Sequence, residues 1–233
     1  MKKAVVGRDE VGARRKMIIY GGGTFAALMR YLFESDSNYV VVAYCLDRKF
    51  IASSEIDGLP VVAFEDVENI YSPKDFDMFI AIGYSGMRNR VLMYERAKQK
   101  DFMLANYVSS DSVVSDSVVL GENNAILQGV QIEPFVSIGD NNVIWSSVNI
   151  CHDSKVGNHS FIAAKSTIGG FSAVGNNCFI GFGSTIIHNV SLADETLVGA
   201  CSLITSDTNK YSKNIGIPAK EIGFHADEGI KIK

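Results

Sequence analysis

The chain has no surplus of positive charge: 22 Lys and Arg stand against 26 Asp and Glu, a net charge of −4. No basic cluster interleaved with aromatics offsets that balance, so nothing points to nucleic acid as a partner. No apolar run is long enough to cross a bilayer, and the first residues lack the apolar core of a signal peptide. A cytoplasmic protein with no membrane insertion is therefore expected. The four cysteines, Cys45, Cys151, Cys178 and Cys201, show no CxxC spacing. Buried free thiols fit this pattern better than disulfides or a metal site. The second half of the chain also lacks both a helical period and a strict apolar–polar alternation.

What fills that half has a period of six. Ile, Leu or Val recurs at seventeen consecutive sixth positions: Val108, Val114, Leu120, Ile126, Ile132, Ile138, Ile144, Ile150, Val156, Ile162, Ile168, Val174, Ile180, Ile186, Leu192, Val198 and Ile204. A small residue often stands two positions earlier, as at Ser154, Ser160, Ser166 and Ser172, and glycine often follows, as at Gly139, Gly157 and Gly175. Asn and Asp then crowd the corners, where a tight left-handed backbone is needed. Three hexads close one triangular turn, and successive turns stack at about 4.8 Å. The pattern predicts a left-handed parallel β-helix of hexapeptide repeats over residues 108–208, with 209–233 as a capping tail.

Before Val108 the pattern is α/β. Residues 1–16 carry mixed charge without periodicity and read as an N-terminal extension, and Met17 opens the first domain, 17–107. Met17–Tyr20, Tyr39–Leu46, Leu59–Val62 and Asp77–Ile82 read as strands of a small Rossmann-like parallel sheet, and Met87–Lys100 as a helix. The turn Gly21-Gly22-Gly23 follows a strand and opens a helix, where free N–H groups suit a phosphate, although the GxGxxG pattern is not completed. Gly22, Gly23, Asp47, Gly83 and Tyr84 all fall at the strand ends where open α/β sheets bind ligands.

In the repeat, His152 and His188 each stand two positions after a column aliphatic, 36 residues and hence two full coils apart, with Gly170 between them in the same column. The expected arrangement is an open slot over the His152 imidazole, Asp153 orienting the ring, and the Gly170 N–H facing a developing oxyanion. His159 lies at a corner among polar residues and is expected to be a solvated surface histidine.

The glycine-rich α/β domain, the hexapeptide coil, the run Ile150-Cys151-His152-Asp153-Ser154-Lys155-Val156-Gly157 and the closing Gly216-Ile217-Pro218-Ala219-Lys220 together resemble the bacterial nucleotide-amino-sugar N-acetyltransferases. Relatives of that family O-acetylate sialic acid. The resemblance covers residues 17–220 and implies acetyl-CoA as co-substrate, no metal, and transfer to the 4-amino group of a nucleotide-linked 4-amino-4,6-dideoxy sugar. It implies His152 as general base, Asp153 as its acidic neighbour, and Gly170 facing the thioester carbonyl. It further implies a homotrimer with the coenzyme in the groove between neighbouring coils, lined by Gly170, Phe182, Gly199, Ala200, Pro218 and Lys220. Gly22, Gly23, Asp47, Gly83 and Tyr84 would meet the nucleotide sugar. One departure stands out: Phe25 occupies the place where the family often has a histidine in its first turn.

Three other readings remain open on sequence. A sugar O-acetyltransferase would use the same residues. A γ-class carbonic anhydrase shares the coil, but its third histidine would fall at Ala193. A non-catalytic coil would have no need of His152 and Gly170 in register.

Overall fold

The computed structural model describes residues 14–225 and 228–232; most of the expected N-terminal extension, residues 1–13, lies outside them. The chain divides into two compact units. One holds the described residues up to Gly83 together with Leu92–Tyr107, and the other holds Tyr84–Val91 together with the residues from Val108 on.

The first unit is built on a five-stranded sheet. Its strands are β1 (Arg15–Tyr20), β2 (Tyr39–Leu46), β3 (Glu55–Ile56), β4 (Leu59–Ala63) and β5 (Asp77–Ile80), in the order β3-β4-β2-β1-β5. All pairings are parallel except the short β3–β4 hairpin. Helices α1 (Thr24–Asp36), α2 (Val67–Ile70) and α3 (Met87–Lys98) connect or follow the strands. The first strand starts at Arg15, two residues before the expected Met17. Ile18, Tyr20, Ala43, Cys45, Met78 and Ile80 supply its core.

The second unit contains seventeen two-residue strands in chain order, β6 (Tyr107–Val108) to β22 (Leu203–Ile204). Every one ends on one of the seventeen aliphatic positions. These side chains stack in register coil on coil, as in Ile132–Ile150–Ile168–Ile186–Ile204. Burial of each such side chain contributes roughly 1.5–3 kcal/mol. The serine two positions earlier is buried because its hydroxyl has a fixed partner in the next coil. Ser154 donates to Gly169 O at 2.8 Å and Ser172 to Ile187 O at 2.8 Å.

The corner backbone is left-handed at the third residue after each aliphatic from Leu120 to Val198, for example φ 56° at Asn141 and 59° at Asp153. Asn does fill one corner, at Asn123, Asn141 and Asn177, but the other corners take Phe, Ser, Lys and Cys. Bonds between coils, such as Asp153 N–H to Pro134 O at 3.1 Å, repeat every turn and hold the geometry whatever the side chain. The hairpin β23 (Ser212–Gly216) and β24 (Ala219–Phe224) extends one face of the coil, since β23 pairs with the strand Leu197–Val198.

Of the four thiols, Cys45 and Cys178 are buried, but Cys151 is only partly so and Cys201 is exposed. The expectation of buried thiols holds for two. Cys201 sits on a corner, where side chains point outward.

Candidate active site

His152 stands at the corner that follows the face built from Ile132, Ile150 and Ile168. Its backbone N–H donates to Glu133 Oε2 at 2.8 Å, and its Nδ1 lies 3.0 Å from Asp153 Oδ2. That contact places the proton on Nδ1 and leaves the Nε2 lone pair as the acceptor. Both side chains are about half exposed, so the pair is reachable from solvent. The left-handed φ of Asp153 turns its carboxylate back onto the ring of its own neighbour.

The column register is as expected: Phe171 N–H donates to His152 O and Asn189 N–H to Gly170 O. The expected open slot is different. A Cβ built on Gly170 would lie 3.2 Å from both Cε1 and Nε2 of His152. The glycine therefore makes room for the imidazole itself, which leans across the corner, and not for a ligand above it. The Gly170 N–H donates to no group among the described residues. At another corner the equivalent N–H groups are satisfied by side chains of the next coil, as Asp140 N–H by Asn158 Oδ1 at 2.7 Å and Asn158 N–H by Asn176 Oδ1 at 2.8 Å. Gly170 has lost that partner beside a histidine whose free nitrogen faces it. A donor without a partner next to a base can stabilise a charge developing on a carbonyl oxygen. His188, two coils along, is exposed and holds nothing.

Phe182 and Ala200 share a column at a different corner, where Cys201 N–H reaches Phe182 O at 2.7 Å. Both are exposed. Gly199 lies beneath the hairpin: a Cβ there would lie 2.7 Å from Ile215 Cγ1. Pro218 and Lys220 are exposed on the hairpin, with Lys220 paired to Ile215. These residues form a strip of exposed apolar side chains, Phe182, Ile215 and Ile217, ending in the Lys220 ammonium. Its chemistry suits a chain with an apolar body and anionic groups. Within one coil the strip's corner and the His152 corner stand at opposite ends of one face, on the order of 15–20 Å apart. A polar recess bordered by Ile204, Asp207, Asn214 and Lys220 lies at the end of the coil, three turns from His152.

In the first unit, Gly21 has φ 140° and passes Ala81 O so closely that a Cβ would be 2.6 Å away. Gly22 is packed under Leu46 and Ile56, and only Gly23 faces open space. No side-chain hydrogen bond caps the first turn of α1 at Gly23. Phe25 lies in that turn.

Asp47 is not a free acceptor. It receives the Tyr20 hydroxyl at 2.5 Å and the Arg96 guanidinium at 2.9 Å. Burial opposes its ionisation, but the Arg96 and Tyr20 hydrogen bonds prevail and hold the carboxyl below the usual range. Arg96, which sequence reasoning missed, lies 4.6 Å over the Phe64 ring. Gly83 belongs with this unit, whereas Tyr84 belongs with the coil. The Tyr84 ring lies tilted against Phe161 at 4.7 Å and Phe179 at 5.8 Å between centroids.

His159 corrects the expectation of a solvated residue. It is 9 % exposed, and the Asn141 amide meets its Nδ1 at 3.0 Å. Arg90, 1 % exposed, donates to Asn141 O in the same cluster. Burial, with help from the Arg90 charge, pushes the His159 pKa down to about 4.

Comparison with known proteins bears on both units. Residues 16–94 match the PglD N-terminal domain, and residues 135–170, which span His152 and Gly170, match the bacterial transferase hexapeptide of six repeats. The chain is a hexapeptide-repeat acyltransferase with a PglD-type N-terminal domain. Among solved structures it is similar to PerB from Caulobacter crescentus, described in complex with CoA and GDP-perosamine, at 28 % identity and TM-score 0.79 over 96 % of this chain and 100 % of that one. A histidine-to-alanine mutant of that enzyme, a GDP-perosamine N-acetyl transferase, gives 27 % and 0.80 over the same shares. The acetyltransferase domain of PglB from Neisseria gonorrhoeae FA1090 shares the fold, at 22 % identity and TM-score 0.80 over 89 % of this chain and 100 % of that one. No curated protein matched by sequence. Among the described residues no helix is long and apolar enough to cross a membrane.

Proposed function

We propose that this protein transfers the acetyl group of acetyl-CoA to the 4-amino group of a nucleotide-linked 4-amino-4,6-dideoxyhexose, in the cytoplasm, for surface glycan synthesis. The observation that carries the reading is His152: Nδ1 is tied to Asp153, the Cε1–Nε2 edge packs against Gly170, and the Gly170 N–H has no partner among the described residues. His152 Nε2 takes the proton that the amine sheds as its nitrogen bonds to the thioester carbon. Asp153 stabilises the resulting imidazolium. The Gly170 N–H receives the negative charge that develops on the carbonyl oxygen. As the carbon–sulfur bond breaks, His152 returns the proton to sulfur, so a free thiol and an amide are formed and the base is regenerated. A positioned base of this kind contributes about 10²–10⁴ in rate.

Two carboxylates, Asp153 and Glu133, flank the histidine. Their charge draws in an amino sugar, which is cationic in bulk solution and sheds that proton before its nitrogen attacks, and this supports amine over hydroxyl transfer. The turn at Gly23, where a Cβ would meet nothing within 4 Å, would receive the sugar's diphosphate. The strip of Phe182, Ala200 and Lys220, with Gly199 and Pro218 beside it, would carry the coenzyme. One coil keeps that strip a full face away from its own His152, so a complete site joins the histidine of one protomer to the strip of another, which favours a homotrimer.

The test is thiol release from acetyl-CoA against GDP-, UDP- and dTDP-linked 4-amino-4,6-dideoxyhexoses. Turnover with one of them, lost by 10²-fold or more in His152→Asn at unchanged melting temperature, is expected. Turnover only with hydroxyl acceptors, or wild-type rates in the variant, would overturn it.

A further inference from the structure

From Asn123 to Cys201 the third residue of each corner adopts the left-handed conformation, and most of these positions are filled by residues that accept it or expose a polar group. One corner has Asn123, Asn141, His159, Asn177 and Glu195, and another has Ser147, Lys165 and Cys201 with glycines. The His152 corner is different. Phe135 (φ 66°) and Phe171 (φ 59°) stand one coil before and one coil after Asp153. A bulky aromatic is an outlier in this region of backbone space. Neither ring contributes to the core: Phe135 is 69 % and Phe171 58 % exposed. The core therefore gains little from either side chain, and at the same site in the next coil Asn189 serves. Backbone strain that stability does not repay points to function at the place where it occurs. Here that place is the reacting centre, because the Phe171 ring lies edge-on to the His152 imidazole at 5.1 Å between centroids.

Resting on the acceptor class proposed above, we infer that Phe135 and Phe171 are specificity-determining residues that form two apolar walls around the sugar beside the reacting amine. In a 4-amino-4,6-dideoxyhexose the methyl carbon is attached to the ring atom next to the one that bears the amine. A wall set edge-on to the base therefore meets the methyl group when the amine meets Nε2. The same wall desolvates the hydroxymethyl of an ordinary hexose without offering it a hydrogen bond, so it selects for the deoxy sugar.

The test uses the full chain and a matched pair of acceptors on one nucleotide, GDP first, differing only in whether C6 carries hydrogen or hydroxyl. Wild type is expected to favour the deoxy sugar by about 10–100-fold in kcat/KM. Phe135→Asn and Phe171→Asn suit the left-handed site. Each should raise KM for the deoxy acceptor and cut the preference about tenfold, with KM for acetyl-CoA, oligomeric state and melting temperature unchanged or improved. Phe171→Leu restores an apolar wall and should recover most of the preference. A preference that stays within twofold of wild type would overturn the inference. So would a rise in KM for acetyl-CoA alone, or subunit dissociation, which would make the rings coenzyme or interface residues. Absence of turnover by wild type with any amino sugar would instead remove the functional reading beneath it.

Discussion

Gly169 and Gly170 are neighbours in the chain, yet alanine should act at the two in opposite ways. At Gly170 the added Cβ lies 3.2 Å from Cε1 and Nε2 of His152 and 3.3 Å from its carbonyl oxygen. Gly170 does not have a left-handed φ, so alanine is tolerated by the backbone there. The imidazole, half exposed and held by Asp153 and the Phe171 ring edge, gives way by a few tenths of an ångström. That displacement moves Nε2 away from the Gly170 N–H and loosens the 3.0 Å contact to Asp153. A misplacement of about 1 Å can cost on the order of 10²-fold in rate, so a shift of a few tenths should cost up to about tenfold, or about 1.4 kcal/mol in the barrier. At Gly169 the Cβ would lie 2.5 Å from His188 N and 2.7 Å from Ile187 C, which are backbone atoms of the next coil and cannot rotate aside. The coils must separate there, an overpacking cost of about 1–3 kcal/mol that lowers the melting temperature by roughly 2–12 °C. Thermal melts and thiol-release kinetics on both variants check this. Gly170→Ala with full activity and an intact melt would refute the placement of His152 against Gly170. An unaltered melt for Gly169→Ala would refute the close stacking of the two coils.

Further outcomes are expected elsewhere. Asp153→Asn keeps the left-handed corner and a partner for Nδ1 but loses the charge. Since both groups are half exposed and screened by solvent, the loss in kcat/KM should be about tenfold, far below that of His152→Asn; an equal loss in both would make Asp153 more than an orienting group. His159 is held neutral, with its pKa at about 4 against an ordinary 6.5. As pH falls below 6.5 the unfolded chain takes up the proton first, so stability drops between pH 6.5 and 4, by about 3 kcal/mol in all, and then levels. His159→Asn, the residue its column already uses at Asn141 and Asn177, should flatten that part of the urea-melt profile, and an unchanged profile would contradict the burial. Arg96→Met leaves the buried Asp47 carboxylate with Tyr20 alone and should cost about 1–3 kcal/mol. Because Asp47 titrates below the usual range, its contribution is full above the ordinary carboxylate pKa and is lost as pH falls through its lowered one. The variant should show less of that acid loss in denaturant melts, and an equal loss would argue against the ion pair.

Much of the architecture is a local property of the chain. A six-residue aliphatic period with a small residue two places earlier can bury its side chains only by coiling, so all seventeen strand ends and the alignment of His152, Gly170 and His188 follow from counting. The α/β pattern before Val108 was equally legible, because parallel strands buried on both faces read as apolar runs. What the period could not reveal was which corner is covered and by what. Residues Tyr84–Val91 pack with the coil, so Tyr84 rests on Phe161 and Phe179, and Arg90 closes over Asn141 and His159. A corner histidine that looks solvated in sequence is thus buried and neutral. Asp47 falls at a strand end as its run of apolar residues implies, but spacing could not reveal that Arg96, 49 residues away, donates to its carboxylate. Nor could spacing tell whether Gly170 leaves an opening above the imidazole or makes room for it. Such facts depend on contacts between residues far apart in the chain. Only the folded packing brings those side chains together, and it decides which of them remain free for chemistry.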